Sequence, residues 1–390
     1  YQTYVNEKLT DSVAQLREQL LVMIAMGDYF DNAKYGIAHT RWALESDVPF
    51  LLSNSKDRLL PHIREIPVFI VGNGPSLDGL LDVLKEHGDK ALIISCGTAL
   101  QALHKNGIKP DFHTEIETNR STFDWITRID DEEYLKAITL LSCNGMHPDA
   151  AMLFGRTLLA FKQGEASTVS ISELNKDQPF TLLNFAYPTV TNFAADFFTA
   201  AGFNQIYLFG TDMGFVSDSY HHSKSSGYYD GRGKELYRYS DNHEMSLVIP
   251  GNFKPWVKTK YEFKISKTVL EQVFAQPGLD VYNLSDGAKI VGAQALDKEL
   301  ILLSSTSELK SIALHSFVND CFSSELNRSV LETFDTRYST TSLIEELGVL
   351  SQLLDSDLTS KSDVETLVGE QREFIVSSYL RKKSLGFYYL

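Results

Sequence analysis

Short apolar runs recur through the middle of the chain and alternate with stretches of helical periodicity. The apolar runs predict buried strands over Val68–Val71, Ala91–Ser95, Phe112–Glu117, Ile138–Leu141 and Gln205–Phe209. Apolar stripes predict helices over Leu77–Glu86, Thr98–Lys105 and Val190–Ala200, and Gly107 and Gly202 stand where helix C-caps belong. Strands that alternate with helices indicate βαβ units. The pattern therefore predicts an α/β fold, with a Rossmann-like, mostly parallel sheet flanked by helices.

Helical periodicity dominates both ends of the chain. We expect a helical N-terminal region over residues 1–66, a catalytic domain over 67–300 and a helical C-terminal domain over 301–390. In the N-terminal region the helical signals are Val13, Leu16, Leu20 and Ile24, followed by residues 39–45. In the C-terminal region, Leu343, Leu347, Leu350 and Leu354 form one apolar stripe and Val364, Leu367 and Phe374 another, and we expect both to form the core of a helical bundle.

Residues 213–260 interrupt the catalytic domain with a segment rich in Tyr, Ser, His and Gly. Its weak periodicity predicts a long loop, and a loop of this length within a compact domain is usually functional or mobile. Regular structure returns with a helix predicted over Phe263–Phe274 and a strand over Asp280–Leu284.

A glycine turn, Gly72-Asn73-Gly74-Pro75-Ser76, connects the first of these strands to its helix. Glycine allows a sharp turn and leaves no Cβ to block a ligand, and proline is favoured at the first position of a helix. We expect the N–H groups of Ser76 and Leu77 to be free at the helix N-terminus, which would make the turn a phosphate site. The alternative is a turn that packs the helix on the strand and binds nothing.

The surrounding sequence restricts the class of phosphate ligand. Leu77 occupies the position of the third glycine in a dinucleotide fingerprint, and the next strand ends at Ser95-Cys96-Gly97 without a carboxylate for a ribose. The phosphate-loop pattern GxxxxGK[ST] does not occur. Dinucleotides and conventional ATP sites are therefore disfavoured, and another kind of nucleotide remains. Cys96 is expected to be a buried structural thiol.

Composition limits the partners and the compartment. The chain has 390 residues and a net charge of −15, so contact with a nucleic acid polymer is not expected. Three widely spaced cysteines fit a reducing compartment, and neither a signal peptide nor an 18-residue apolar run is present. We expect a cytoplasmic protein with no membrane span. Tyr1 is not an initiator methionine, which is consistent with a trimmed N-terminus.

The predicted strand ends carry polar or glycine-rich sequences, and ligands of open parallel sheets bind beyond such ends. These sequences are the glycine turn, Ser95-Cys96-Gly97-Thr98, Glu115 with Glu117, and Gly210-Thr211-Asp212. Glu115 and Glu117 alternate on the predicted strand, so we expect only one of them to face the cleft. Asp212 could bind a ribose, orient a histidine or close a turn.

The order of these motifs resembles the motility accessory factor (Maf) family of flagellin glycosyltransferases, whose core is similar to bacterial sialyltransferases. The likeness covers residues 67–293, and both ends match only as helical regions. The motifs are Gly72-Asn-Gly-Pro-Ser-Leu-Asp78, Asn106-Gly-Ile-Lys-Pro-Asp-Phe112, Glu115-Ile-Glu117, Pro188-Thr-Val-Thr-Asn192, Gly210-Thr-Asp-Met213, His221-His-Ser223 and Tyr282-Asn-Leu-Ser285.

This resemblance implies a glycosyltransferase that moves a nonulosonic acid, of the pseudaminic or legionaminic type, from a CMP-activated donor to Ser or Thr of flagellin. It implies a role in flagellum assembly and motility, with flagellin and the CMP-sugar as partners and no required cofactor. A single phosphate suits the glycine turn better than a triphosphate does. CMP departure leaves an oxocarbenium-like sugar, so the site must neutralise the leaving phosphate and deprotonate the acceptor hydroxyl.

The sialyltransferase resemblance assigns the phosphate and base residues in part. A tyrosine eight residues beyond the Gly-x-Asp aspartate holds the leaving phosphate in those enzymes, which corresponds to Tyr220. Their second phosphate tyrosine falls on Gly214, and their catalytic histidine falls in Gly251–Thr259, where no histidine occurs. Either His221 or His222 is therefore the candidate base, or another group has that role. The structural alternative is that both are exposed loop histidines.

The predicted catalytic residues are accordingly His222, His221, Tyr220 and Asp212. The predicted nucleotide-sugar site consists of Gly72, Asn73, Gly74, Pro75, Ser76, Ser95, Glu117, Thr189 and Thr191. Thr189 and Thr191 could also simply cap a helix N-terminus. A metal site of Asp212, His221 and His222 lacks tight ligand spacing, and none is predicted; dependence on a divalent metal stays open.

Two other functions fit parts of the sequence. The Gly-x-Gly-Pro-Ser turn also resembles an archaeal pterin pyrophosphokinase, a phosphotransferase that needs ATP and Mg²⁺. The chain could also be a non-catalytic flagellin-binding module with a vestigial nucleotide fold. From position alone, the helical flanks 1–66 and 300–390 are candidates for holding a protein acceptor.

Overall fold

The strands of the central sheet form where the apolar runs of the sequence lie. A computed structural model describes residues 30–174, 179–215, 220–230, 232–236, 247–355, 358–381 and 385–389. The strands are β1 (Phe50–Leu51), β2 (Val68–Val71), β3 (Leu92–Cys96), β4 (Phe112–Glu115), β5 (Thr139–Cys143), β6 (Arg156–Lys162), β7 (Leu182–Leu183), β8 (Gln205–Phe209), β9 (Leu247–Ile249), β10 (Val257–Thr259), β11 (Asp280–Asn283), β12 (Gln294–Ala295) and β13 (Phe322–Ser323).

Helices cover the sheet and extend to the C-terminal end. They are α1 (Phe30–Glu45), α2 (Ser55–Arg58), α3 (Pro61–Arg64), α4 (Leu81–His87), α5 (Ala99–Lys105), α6 (Ser121–Ile126), α7 (Glu132–Lys136), α8 (Pro148–Ala151), α9 (Ala166–Ser172), α10 (Val190–Ala201), α11 (Tyr261–Phe274), α12 (Ser307–Asp320), α13 (Asn327–Arg337), α14 (Thr340–Leu354), α15 (Lys361–Arg381) and α16 (Gly386–Tyr389). Short 3₁₀ turns cover Pro75–Gly79, Thr127–Ile129 and Lys298–Leu300.

The described residues form one sheet of eleven strands and a separate two-stranded sheet. The large sheet runs β12-β11-β8-β2-β3-β4-β5-β6-β1-β13, and β7 pairs with β6. All its pairings are parallel except that of β13 with β1. In register, Val68 of β2 lies between Leu92 of β3 and Ile206 of β8. The predicted α/β, mostly parallel Rossmann-like fold is confirmed.

The sequence located the central strands closely. The strands predicted over Val68–Val71 and Gln205–Phe209 are confirmed with the same bounds, and the other predicted strands differ at their ends by one or two residues. Gly202 caps α10 with a φ of 107°, and Gly107 follows α5 with a φ of 67°, so both predicted cap positions are confirmed.

Several strands were not predicted, among them the two-residue strands β1, β7, β12 and β13, strand β6, and the pair β9 and β10. The apolar part of β6 is only a few residues long, and periodicity cannot separate such a run from a helix segment. The prediction of a single long loop over 213–260 is wrong, because β9 and β10 pair there as an antiparallel hairpin. Both strands have three residues, too few to produce a periodic signal.

Segments from both predicted flanking regions join the large sheet. β1 pairs with β6, and β13 pairs with β1, so the sheet crosses the predicted boundaries on both sides of 67–300. Phe317 of α12 packs against Phe112 of β4, with ring centroids 5.6 Å apart. The predicted helix around Val13–Ile24 lies outside the described residues.

The C-terminal leucines predicted as bundle core are only partly covered. No residue of α14 is buried, and Leu354 is 54% exposed, whereas Leu367 of α15 is buried. Across the described residues, no helix has the length and apolarity required to cross a membrane.

Helix α10 holds the centre of the fold. Phe193, Phe197 and Phe198 of α10 are fully buried in the main core, together with residues of β2, β3 and β4. Burial of such aromatic side chains is the main stabilising contribution to a core. It also fixes the N-terminus of α10 beside the carboxyl ends of the central strands.

Candidate functional site

A cavity of about 420 Å³ lies at the carboxyl ends of the central strands. This is where open parallel sheets bind ligands, and the volume is within the range of small-molecule sites. The residues that line it are Gly72–Pro75, Cys96–Thr98, Glu115, Glu117, Ser121, Thr122, Trp125, Pro188–Thr191, Gly210–Gly214, His221, His222, Tyr228, Glu262 and Phe263.

The glycine turn is held against the end of strand β8. The N–H of Gly72 donates to the carbonyl oxygen of Phe209, and that of Gly74 donates to the carbonyl oxygen of Gly210, both over 2.8 Å. An ideal Cβ on Gly72 would lie 2.6 Å from the Gly210 oxygen, and one on Gly74 would overlap the Asp212 carboxylate. These glycines are required because two strand ends approach closely, and both also line the cavity.

The prediction that the backbone N–H groups of Ser76 and Leu77 are free to bind a phosphate is wrong. The N–H of Ser76 donates to Oδ2 of Asp212 over 3.2 Å, and the N–H of Leu77 donates to the carbonyl oxygen of Gly74 over 3.0 Å. Residues Pro75–Gly79 form a 3₁₀ turn rather than the start of an α-helix. Both N–H groups are therefore occupied within the protein.

The N-terminus of α10 faces the cavity instead. The cavity is lined by Pro188, Thr189, Val190 and Thr191 at this end of the helix. Helix α10 is twelve residues long. Thr189 occupies the N-cap, as one alternative predicted, but its hydroxyl donates to Oδ1 of Asn192 rather than accepting a helix N–H. The first N–H groups of an α-helix have no partner within the helix, and its dipole favours an anion there.

Asn73 presents a buried oxygen that has no partner in the described part of the chain. The side-chain Nδ2 of Asn73 donates to Oγ1 of Thr98 over 2.8 Å, and its backbone carbonyl oxygen accepts the N–H of Ser223 over 2.9 Å. The side chain is 9% exposed, and Oδ1 makes no hydrogen bond. A buried acceptor without a donor is unfavourable, so a ligand that brings a hydroxyl or amine to Asn73 would relieve this cost.

Asp212 is buried at the end of β8 and bonded to the glycine turn. Its carboxylate accepts hydrogen bonds from both the N–H and the hydroxyl of Ser76. Burial raises the pKa of Asp212 to about 6, although these two bonds favour the charged form. Asp212 thus ties β8 to the turn after β2 while lining the cavity.

Two adjacent histidines and a glutamate form a hydrogen-bonded chain at the cavity. Nδ1 of His222 lies 2.5 Å from Nδ1 of His221, whose Nε2 lies 2.8 Å from Oε1 of Glu235. The hydroxyl of Tyr229 accepts the backbone N–H of both histidines, and the His222 ring stacks on Tyr228 with centroids 4.1 Å apart. This packing fixes both imidazole rings.

The electrostatic environment keeps His222 neutral. Burial, followed by the neighbouring His221 and the Lys260 ammonium, lowers the pKa of His222 to about 3. Burial also lowers the pKa of His221, although Glu235 opposes that effect. A neutral imidazole has a nitrogen that can accept a proton, but a pKa of about 3 makes it a weak base, because a general base works best with a pKa near the operating pH.

The carboxylates in the cavity differ from the predicted arrangement. Both Glu115 and Glu117 line the cavity, so the prediction that only one faces it is wrong. Strand β4 ends at Glu115, and the alternation of side chains ends with it. Desolvation and then the charge of Glu115 raise the pKa of Glu117.

Three predicted site residues, Ser76, Ser95 and Tyr220, lie outside the cavity lining. Ser95 is fully buried, and its hydroxyl lies 2.8 Å from Nδ1 of His113. Tyr220 packs edge-on against Tyr229, with centroids 5.4 Å apart. Ser76 reaches the site only through Asp212, whereas the other predicted residues line one cavity: Gly72, Asn73, Gly74, Pro75, Glu117, Thr189, Thr191, Asp212, His221 and His222.

The sequence missed several residues of the site. Trp125, Tyr228 and Phe263 supply aromatic surface, Glu262 adds a carboxylate, and Glu235 supports His221. Tyr228 is close to His221 and His222 in sequence, and this proximity could have predicted that it belongs to the site. Cys96 lines the cavity, and burial raises the pKa of its thiol to about 12, as expected of a structural cysteine.

The cavity is acidic. Among the residues the structure describes, its lining includes four carboxylates and no lysine or arginine. Lys260 lies nearby, and its Nζ pairs with Glu262 over 2.6 Å. Within the described ranges, no three His, Cys, Asp or Glu side chains are placed to hold a metal ion.

Comparisons with known proteins support this description. A protein-family model described as "6-hydroxymethylpterin diphosphokinase MptE-like" matches residues 44–218. The Maf glycosyltransferase of Magnetospirillum magneticum AMB-1 matches with a TM-score of 0.71 and 25% sequence identity, over 99% of this chain and 56% of that protein. No curated protein sequence matches significantly. The chain thus spans little more than half the length of the Maf protein.

The chain therefore shares its fold with part of a Maf glycosyltransferase. The resemblance to the Maf family that the ordered motifs predict is confirmed along nearly the whole chain.

Proposed function

We propose that this chain transfers a nonulosonic acid from a CMP-activated donor to Ser or Thr of flagellin, in the cytoplasm, for flagellum assembly and motility. The observation that carries the proposal is that an α-helix N-terminus and a neutral histidine line the same cavity. Thr189–Thr191 of α10 provide the first, and His222 provides the second. Transfer from a nucleotide monophosphate sugar requires both an anion site for the leaving group and a base for the acceptor.

The donor is proposed to bind across the strand ends. The N-terminal N–H groups of α10 receive its single phosphate, a role first predicted for Ser76 and Leu77. The unpartnered Oδ1 of Asn73 accepts a hydrogen bond from a hydroxyl or amine of the donor. Thr98 holds the Asn73 amide in place through its hydrogen bond to Nδ2.

The acidic lining suits the transition state better than the ground state. The donor is anionic, but departure of CMP places positive charge on the sugar ring, and a nearby carboxylate stabilises an oxocarbenium-like ring. Glu115 and Glu117 are the proposed carboxylates.

His222 is the proposed general base, supported by His221 and Glu235. The Glu235 carboxylate can only accept, so it fixes the His221 proton on Nε2; His221 Nδ1 then accepts the proton on Nδ1 of His222. This tautomer makes Nε2 the proton-accepting nitrogen of His222. A positioned base contributes about 10²–10⁴-fold to such a reaction.

The test is mass spectrometry of flagellin co-expressed with this chain and a CMP-nonulosonate pathway. Flagellin should gain the sugar mass with the natural chain and lose it with Gly72→Val, whose side chain would meet the Gly210 oxygen, 2.6 Å from an ideal Cβ. Because Gly72→Val can also unfold the protein, His222→Ala serves as a second variant. Unmodified flagellin with the natural chain would contradict the proposal.

The family-model match supports a second candidate, a pterin diphosphokinase. That reaction transfers diphosphate from ATP and requires Mg²⁺. Thermal stability and turnover distinguish the two candidate functions. If the chain is a CMP-sugar transferase, CMP should raise its melting temperature. If it is a pterin diphosphokinase, incubation with Mg²⁺, ATP and a hydroxymethylpterin should release AMP.

A further inference from the structure

The β9–β10 hairpin presents an exposed outer face beside the cavity. Lys258 pairs with Val248 in the hairpin register, while Val257 and Thr259 point inward and are buried. Val248 is 62% exposed and Trp256 is 60% exposed. Apolar and aromatic side chains exposed together are characteristic of a binding surface.

This hairpin packs against residues 213–215, a segment that begins in the cavity wall. The Phe215 N–H donates to the carbonyl oxygen of Lys258 over 2.8 Å, and the Thr259 hydroxyl donates to that of Met213 over 2.9 Å. Met213 lines the cavity. The hairpin is therefore bonded directly to a segment that lines the site, and a molecule bound on its outer face lies beside the cavity.

Charge distinguishes the hairpin from the rest of the protein. Residues 247–264, which comprise the hairpin and the first turn of α11, contain four lysines and one glutamate, in a chain whose net charge is −15. Lys260 is buried and pairs with Glu262. Lys254 of the hairpin and Lys264 of α11 are exposed, and Nζ of Lys254 lies 3.8 Å from Oδ2 of Asp286. A local positive charge on an acidic protein selects partners by their charge, because the remainder of the surface repels an acidic partner.

We infer that the outer face of the β9–β10 hairpin, with Phe253, Trp256, Val248 and Lys254, together with Lys264 of the adjoining α11, binds an acidic polypeptide segment with exposed apolar side chains. This segment belongs to the protein whose hydroxyl enters the cavity, so the inference rests on the proposed function. It replaces the helical flanks as the acceptor surface. Deleting residues 300–390 cannot test the flanks, because Phe317 and Phe322 belong to the core.

The experiment compares two double variants, Val248→Ser/Trp256→Ala and Lys254→Glu/Lys264→Glu, with the natural chain. Purified flagellin is the probe, with its affinity measured by fluorescence anisotropy and its KM in the transfer assay. We expect each double variant to weaken flagellin binding by tenfold or more. CMP release with water as the acceptor should be unchanged, because none of the four residues lines the cavity.

Matched controls use exposed residues far along the chain. Leu302 is 90% exposed and Lys361 has a side chain that is 92% exposed, so Leu302→Ala and Lys361→Glu should leave flagellin binding unchanged. Equal flagellin affinity in the hairpin variants and the natural chain would overturn the inference. The inference would also be overturned if the natural chain bound no flagellin. A third contrary result would be hairpin variants that still bind flagellin but no longer associate with further copies of the chain.

The two proposals fail separately. Absence of CMP-dependent stabilisation and of CMP release contradicts the proposed transferase, whatever the binding result. Normal CMP release together with unaltered flagellin binding in the variants contradicts the hairpin surface alone.

Discussion

Nε2 of His221 lies 2.8 Å from Oε1 of Glu235, and His221 is in turn bonded to His222 at the cavity. The His221 side chain is only 8% exposed, so the carboxylate is the group that balances any proton His222 takes up. Removing the charge of Glu235 leaves the histidine pair without its acceptor-only partner. The three side chains should therefore act as one unit.

We predict that His222→Ala lowers CMP-nonulosonate transfer by about 10²–10⁴-fold, and that Glu235→Gln lowers it by a smaller factor. In the His222→Ala background, Glu235→Gln should cause no further loss, because residues that act as a unit are not additive. The measurement is the rate of CMP release in a double-mutant cycle. Glu299→Gln, on an exposed turn, is the control. Additive losses would show that Glu235 acts independently of His222.

The histidine pair illustrates what the sequence could and could not show. Adjacent His221 and His222 after a Gly-x-Asp strand end marked the candidate base directly. Glu235 lies fourteen residues further on, in a segment without periodicity, so nothing in the sequence linked it to His221. The stacking of Tyr228 on His222 also depends on the tertiary fold.

The glycine turn shows the same limit for the fold. The apolar run and the glycines predicted β2 and the turn after it correctly, because local sequence determines both. The function of the turn depended on Asp212, which is 136 residues away from Ser76 and occupies its donors. Buried strands of a few residues, such as β1 and β13, were missed because their pairing partners are distant in sequence.

Gly74→Ala should destabilise the protein and weaken CMP binding. Its Cβ would lie 2.7 Å from the Gly210 oxygen and overlap the Asp212 carboxylate, so the two strand ends must separate. Such overpacking typically costs about 1–3 kcal/mol of unfolding free energy. Urea denaturation and CMP titration measure the two effects.

Gly79→Ala is the matched control, because it lies in the same 3₁₀ turn and its Cβ would meet no atom within 4 Å. We expect it to leave both stability and CMP affinity close to those of the natural chain. If Gly74→Ala behaves like Gly79→Ala, the close approach to Asp212 is not a constraint.

Asn73→Ala should weaken CMP-sugar binding by about three- to tenfold, the equivalent of one neutral hydrogen bond. The reason is that Oδ1 is a buried acceptor at the cavity. Thr98→Val removes the partner of Nδ2 and leaves Oδ1 in place, so its effect on affinity should be smaller. Isothermal titration calorimetry measures both. Equal losses in the two variants would assign the effect to the amide's position rather than to Oδ1.

Asp196 should make stability depend on pH. It is 4% exposed within α10, its Oδ2 accepts the N–H of Phe185 over 2.6 Å, and burial raises its pKa to about 7. A raised carboxyl pKa means that the folded state holds the proton more tightly than the unfolded state does. Stability from this group is therefore complete below the unfolded pKa near 4 and is lost as pH rises to about 7.

Asp196→Asn keeps an acceptor for Phe185 but cannot ionise, so it should remove this loss. Between pH 5 and pH 8 the natural chain should lose about 2–3 kcal/mol of unfolding free energy relative to the variant. Urea denaturation at several pH values measures the difference, with exposed Glu345→Gln as the control. A variant that retains the pH slope of the natural chain would show that Asp196 is already charged in the folded protein, and that the buried face of α10 tolerates a carboxylate.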